Sequence, residues 1–136
     1  MKRIYQTRFG GSDAPQAEQG NCFQACVASI LEIPLEEAFD MMAHEEGHWF
    51  DKFQEWLRPR GLGCFYVGAD RNGGPTWPIP GYHIIDLEST TLAVKSDGHV
   101  AVMLDGEVVH DPNPRATHQG KVMGYFVFVA LDPARR

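Results

Sequence analysis

The chain's 136 residues, with 43% apolar and 11% aromatic side chains, suffice to bury one continuous core, and residues 1–136 are read as a single domain. No apolar run approaches the ~20 residues that span a membrane, and MKRIYQTRFGG lacks the apolar stretch of a secretory signal, so a cytoplasmic location with no membrane partner is expected. A net charge of −6 with no basic stripe argues against a nucleic-acid partner.

In chain order, Asn21 is a candidate N-cap, and Phe23, Cys26, Val27, Ile30 and Leu31 then recur at helical spacing. That helix is expected to stop near Ile33, because Pro34 cannot continue it. A second helical pattern runs from Leu35 to about Ala43, with Leu35, Ala38, Phe39 and Met42 on one stripe. Its acidic neighbours Glu36, Glu37, Asp40, Glu45 and Glu46 read as a solvated face. A third helix follows in HWFDKFQEWLRPRGL, presenting Trp49, Phe50, Phe53, Trp56 and Leu57 and stopping at Pro59 and Gly61.

Between the second and third patterns, His44 to His48 spell HEEGH, the letters of a zinc-protease helix. That chemistry needs both histidines on one face of a continuous helix. Gly47 weakens such a helix by ~1 kcal/mol relative to Ala, and no third ligand stands at a fitting distance downstream. The stretch is read as a polar turn between helices.

Beyond Gly61 the apolar period changes to two. Strands are expected at Cys64–Val67, Tyr82–Ile85, His99–Leu104, Glu107–Asp111 and Val122–Leu131, with a Gly- and Pro-rich loop from Gly68 to Pro80. Within PTWPIPGYH a packed connector is expected, a wall of the substrate cleft being the alternative. Helices first and antiparallel strands afterwards make an α+β fold.

Three cysteines cannot close a disulfide framework, so each is core, ligand or reactive group. Cys22 and Cys26 stand four apart, which fits neither a C-x-x-C redox pair nor a usual zinc spacing. Cys26 belongs to the apolar stripe, and Cys64 lies in a strand, so both read as core. Cys22 falls in the first turn of its helix, where unpaired N–H groups and the helix dipole favour a thiolate. On its own this leaves Cys22 open between a nucleophile and an inert thiol.

A base and its orienter are available in SDGHVAVMLDGEVVHDPNPR, where His99 opens one strand and Asp111 ends the next. A two-residue Asp105-Gly106 loop sets the two side chains on opposite faces of the sheet. A three-residue loop, Leu104 to Gly106, turns them to the same face with Gly in the left-handed position. The second register is adopted, because it alone makes a catalytic pair. His83, His110 and His118 are alternative bases without an equally placed carboxylate, and Asn113 is a reserve orienter.

QAEQGNC ahead of a helix, then GHVAVML, then VVHDPNP, together resemble the papain-like cysteine peptidase superfamily. The nearest flavour is that of the bacterial peptidases that remove double-glycine leaders from bacteriocins, together with small proteins of bacteria and their phages. The resemblance implies a papain-like α+β fold, its central helix carrying the cysteine and packed on a C-terminal antiparallel sheet. It implies Cys22 as nucleophile, His99 as base, Asp111 as orienter and Gln16 as oxyanion-hole amide, Gln19 being nearer to Cys22 and also available. The Gly that often follows the family's cysteine is Phe23 here. The implied activity is hydrolysis of a peptide, isopeptide or other amide bond through a thioester, with no cofactor or metal. Acyl transfer to an amine and a catalytically silent binding module are the alternatives.

Overall fold

A computed structural model describes residues 1–44, 47–75, 77–89, 98–115 and 120–131. Two helices, α1 (Cys22–Leu31) and α2 (Trp49–Leu57), precede five strands: β1 (Leu62–Gly68), β2 (His83–Leu87), β3 (His99–Leu104), β4 (Glu107–His110) and β5 (Val122–Ala130). The strands form one antiparallel sheet in the order β1-β5-β2-β3-β4, and the helices pack on one face of it. The fold is α+β.

α1 is buried from Phe23 to Ser29. Its stripe meets the sheet at Val100, Val102 and Phe126, while the N-terminal segment covers its other side. Ile4 N–H donates to Ser29 Oγ at 3.0 Å, and Lys2 N–H donates to Ser29 O at 3.1 Å. The helix ends two residues earlier than its pattern suggests, on Glu32 with φ 56°, whose N–H closes on Ala28 O ahead of Pro34. Phe23 ties the layers together, with edge-on contacts to Trp49, Phe53 and Phe126 at 5.3, 5.1 and 5.1 Å between centroids.

The helix expected over Leu35–Ala43 is not formed; two short 3-10 turns, Leu35–Glu37 and Met41–Ala43, stand there instead. Gln24 of α1 explains the difference, since its amide donates to Leu35 O and Ala38 O and occupies carbonyls that a helix would use. Asp40 then starts the second turn by accepting from Met42 N–H. Its carboxylate also pairs with Arg8 at 2.7 Å, so this member of the acidic cluster is a tether rather than a solvated charge.

The far face of the sheet carries its own apolar layer of Ile85, Leu87, Ala101, Met103, Tyr125 and Val127, closed by Ile79 from the loop after β1. That loop is therefore a packed connector and stands across the sheet from α1. Gln54 of α2 caps the open edge of β1, donating to Cys64 O at 2.6 Å and accepting from Cys64 N–H at 3.0 Å.

The hairpin between β3 and β4 corrects the expected register. The loop has two residues, Asp105 and Gly106 at φ 52° and 82°, and Leu104 pairs with Glu107. This is the register that would separate His99 from Asp111. The pairing then slips, however: Met103 faces Val108 but Val102 faces His110, so Val109 is the extra residue of a β-bulge. One extra residue restores the facing that the two-residue loop removes.

Candidate active site

Cys22 opens α1, and Asn21 before it occupies the cap position without capping. The Asn21 side chain is turned to the N-terminal segment instead. Its Oδ1 accepts from Thr7 N–H and Arg8 N–H, both at 2.9 Å, and its Nδ2 donates to Thr7 Oγ1 and Gln24 Oε1. Asn21 thus gives the first-turn N–H groups of α1 no side-chain cap, and a positive, donor-rich helix end stands at Cys22.

His99 lies beside that end, in hydrogen-bonding reach of the Cys22 thiol. Its Nε2 donates to Asp111 Oδ1 at 2.7 Å, which leaves Nδ1 as the ring nitrogen for sulfur. The same carboxylate oxygen accepts from Asn113 N–H at 2.9 Å, so Asp111 is held from its own strand end. Burial of the ring disfavours its charge, but the bond to Asp111 and the adjacent Cys22 outweigh this and raise His99 from 6.5 to about 10. An imidazolium beside the Cys22 sulfur is the charge state this arrangement favours.

The three cysteines separate by environment. Cys22 is partly exposed, whereas Cys26 and Cys64 are buried. Burial drives Cys26 well above an ordinary thiol, with the nearby Cys22 and Asp111 adding to the effect. Burial pushes Cys64 up to about 12.

A cleft of about 130 Å³ opens over Cys22 and His99. Gln6, Phe9, Met42 and Asn113 contribute to its walls. Gln16, the expected oxyanion-hole amide, is not among them: it is exposed and donates to Met42 O at 2.9 Å. Gln19 is likewise engaged elsewhere, with Ala14 O. The glutamine that reaches the cleft is Gln6, which sequence spacing did not single out. Gln6 is 7% exposed, its Nε2 donates one proton to Arg8 O at 2.9 Å, and its Oε1 has no hydrogen-bond partner among the described residues. Its backbone N–H donates to Pro112 O, tying the segment to the residue after Asp111. No local pattern in IYQTR betrays this role, because the contacts that place Gln6 come from Asn21 and Pro112.

The other described histidines make their contacts elsewhere. His110 Nε2 bonds to Ile4 O at 2.7 Å and His83 Nδ1 to Gly81 O at 3.0 Å, while His118 lies outside the described residues. Within HEEGH, His44 stacks on Phe39 at 4.8 Å, His48 stands at the cap position before α2, and Gly47 between them has φ 85°. Glu45 and Glu46 lie outside the described residues. Among the described residues no three His, Cys, Asp or Glu side chains are grouped to hold a metal, and no helix is long and apolar enough to cross a membrane.

No family model matches this chain, and neither a curated protein nor a solved structure matches it.

Proposed function

We propose that the chain is a cysteine hydrolase of papain-like architecture, acting on a peptide, isopeptide or other amide bond. The observation that carries the reading is the chain of contacts from Cys22, at a helix N-terminus, to His99 and on to Asp111 at 2.7 Å. The order of elements, a cysteine helix followed by histidine and aspartate on adjacent strands, supports the same reading.

In the proposed reaction the Cys22 thiolate adds to the substrate carbonyl carbon, and the π electrons move onto oxygen. The first-turn N–H groups of α1 and the second Nε2 proton of Gln6 receive that oxyanion, each such donor contributing ~3 kcal/mol in comparable sites. His99 Nδ1 passes its proton to the leaving nitrogen as the C–N bond breaks, leaving a thioester on Cys22. Water, deprotonated by the now neutral His99, attacks the thioester and releases the carboxylic acid and the thiolate. Asp111 holds the ring by Nε2 in both half-reactions and keeps the imidazolium charge compensated.

The test is capture of the acyl-enzyme on a peptide library carrying an electrophilic trap, with Cys22, Cys26 and Cys64 replaced singly by Ala. Labelling that disappears in Cys22→Ala and survives the other two changes is the expected result. Full turnover of an identified substrate by Cys22→Ala would end the proposal. Adding a primary amine during turnover of a substrate so identified distinguishes hydrolysis from acyl transfer, by release of the acid or of the new amide.

A further inference from the structure

A second cavity, of about 680 Å³, lies on the far side of the sheet from Cys22. Pro78, Ile79 and Met103 form apolar walls, and His83, Tyr125 and Asp105 bring the polar atoms. Its size and composition are those of a small-molecule site, apolar with a few convergent polar groups.

The polar atoms share one character. His83 is 3% exposed and spends its Nδ1 proton on Gly81 O at 3.0 Å, so a neutral ring presents Nε2 as an acceptor. That nitrogen has no partner among the described residues. Tyr125 is also 3% exposed and spends its hydroxyl proton on Gly73 O at 2.7 Å, leaving lone pairs. Asp105, exposed at the turn between β3 and β4, adds a carboxylate. Among the described residues that line the cavity, three acceptors and no spare side-chain proton call for a ligand that brings donors.

The geometry points to this cavity as a binding site for a small apolar amine, its protonated nitrogen directed to His83 Nε2 and the Asp105 carboxylate and its apolar body against Pro78, Ile79 and Met103. Burial lowers His83 from its ordinary 6.5, which keeps Nε2 an acceptor at neutral pH. An anion of the same shape meets a carboxylate and two lone-pair donors and is rejected. The site shares no residue with the Cys22 cleft and stands whether or not the hydrolase reading does.

The test is calorimetric titration of the full chain with three indoles of like shape: tryptamine, 3-methylindole and indole-3-acetate. Saturable binding of tryptamine, at least tenfold tighter than indole-3-acetate, is expected. Asp105→Asn, a change that the left-handed backbone there accepts, should narrow that preference at least threefold. His83→Asn retains a donor for Gly81 O and should weaken tryptamine tenfold or more, with circular dichroism confirming the fold. Protein alkylated at Cys22 should bind as before. Equal binding of the three indoles overturns the proposal, as do absence of saturation at about 10 mM and loss of binding on Cys22 alkylation.

Discussion

His99 meets Asp111 at 2.7 Å because the strand carrying Asp111 holds one residue more than its partner, Val109. The tight Asp105-Gly106 turn and the bulge act in opposition, and the bulge decides which way Asp111 points. Bulges beside sites commonly re-aim a side chain in this way. Asp111→Asn preserves the shape and removes the charge, so it should slow substrate turnover on the order of 10²-fold or more. Deleting Val109 should do at least as much, by turning Asp111 away. The two variants are compared by steady-state rates, with near-ultraviolet circular dichroism as the control for folding.

The raised His99 ties stability to pH with a definite sign. In the folded chain the ring keeps its proton to about 10, whereas in the unfolded chain it titrates near 6.5. Below 6.5 both states are protonated and the stabilisation is fully present. As pH rises from there, the folded state binds more protons than the unfolded one, and stability falls until the folded ring also titrates near 10. Thermal melting between these limits should show a declining Tm in the native protein. His99→Gln should flatten that slope, and an equal slope in both proteins would remove His99 as its source.

Thiol chemistry should sort the cysteines without any substrate. With Cys22 partly exposed and Cys26 and Cys64 buried, iodoacetamide on the folded chain should give a single adduct, at Cys22. In denaturant all three should react. His99→Ala should slow the native reaction at about pH 7 by removing the imidazolium that pairs with the thiolate. Intact-mass spectrometry with peptide mapping reads both outcomes.

The parts of the fold written in local pattern were legible in the sequence. α1, α2 and the five strands follow from apolar spacing and from breakers such as Pro34 and Gly61, and they appear within a few residues of expectation. What was not legible depends on contacts from afar. The stripe from Leu35 to Met42 is helical by letter, but Gln24 of α1 takes its carbonyls and divides it into two turns. Nothing in the run Val108-Val109-His110 marks the bulge, because a bulge is set by the pairing of two strands. The pairing of His99 with Asp111 follows from residue type and order, whereas the turn between their strands has two residues and not the three that the sequence suggests. The glutamine differs for the clearest reason: the family resemblance implies Gln16, with Gln19 nearer to Cys22 in sequence, whereas the glutamine lining the cleft is Gln6, brought there from the N-terminal segment by long-range contacts.

That exchange of glutamines gives a sharp mutational contrast. Gln6→Ala removes a buried amide from the cleft wall, and in the proposed reaction it should lower kcat by 10²–10³, or about 2.7–4 kcal/mol. Gln16→Ala removes an exposed bond to Met42 O and should leave kcat within about twofold, as surface changes usually do. Asn21→Ala probes how Gln6 is held, since Asn21 anchors the backbone of Thr7 and Arg8 just after it. Losing these bonds leaves two part-buried donors unpaired, at up to about 1–3 kcal/mol each. Asn21→Ala should therefore lower Tm and also reduce kcat, though by less than Gln6→Ala, because the amide is displaced rather than absent. Combining the two changes should lower kcat no further than Gln6→Ala alone. Additive losses in this double-mutant cycle would show that Asn21 acts on the reaction by a route other than Gln6.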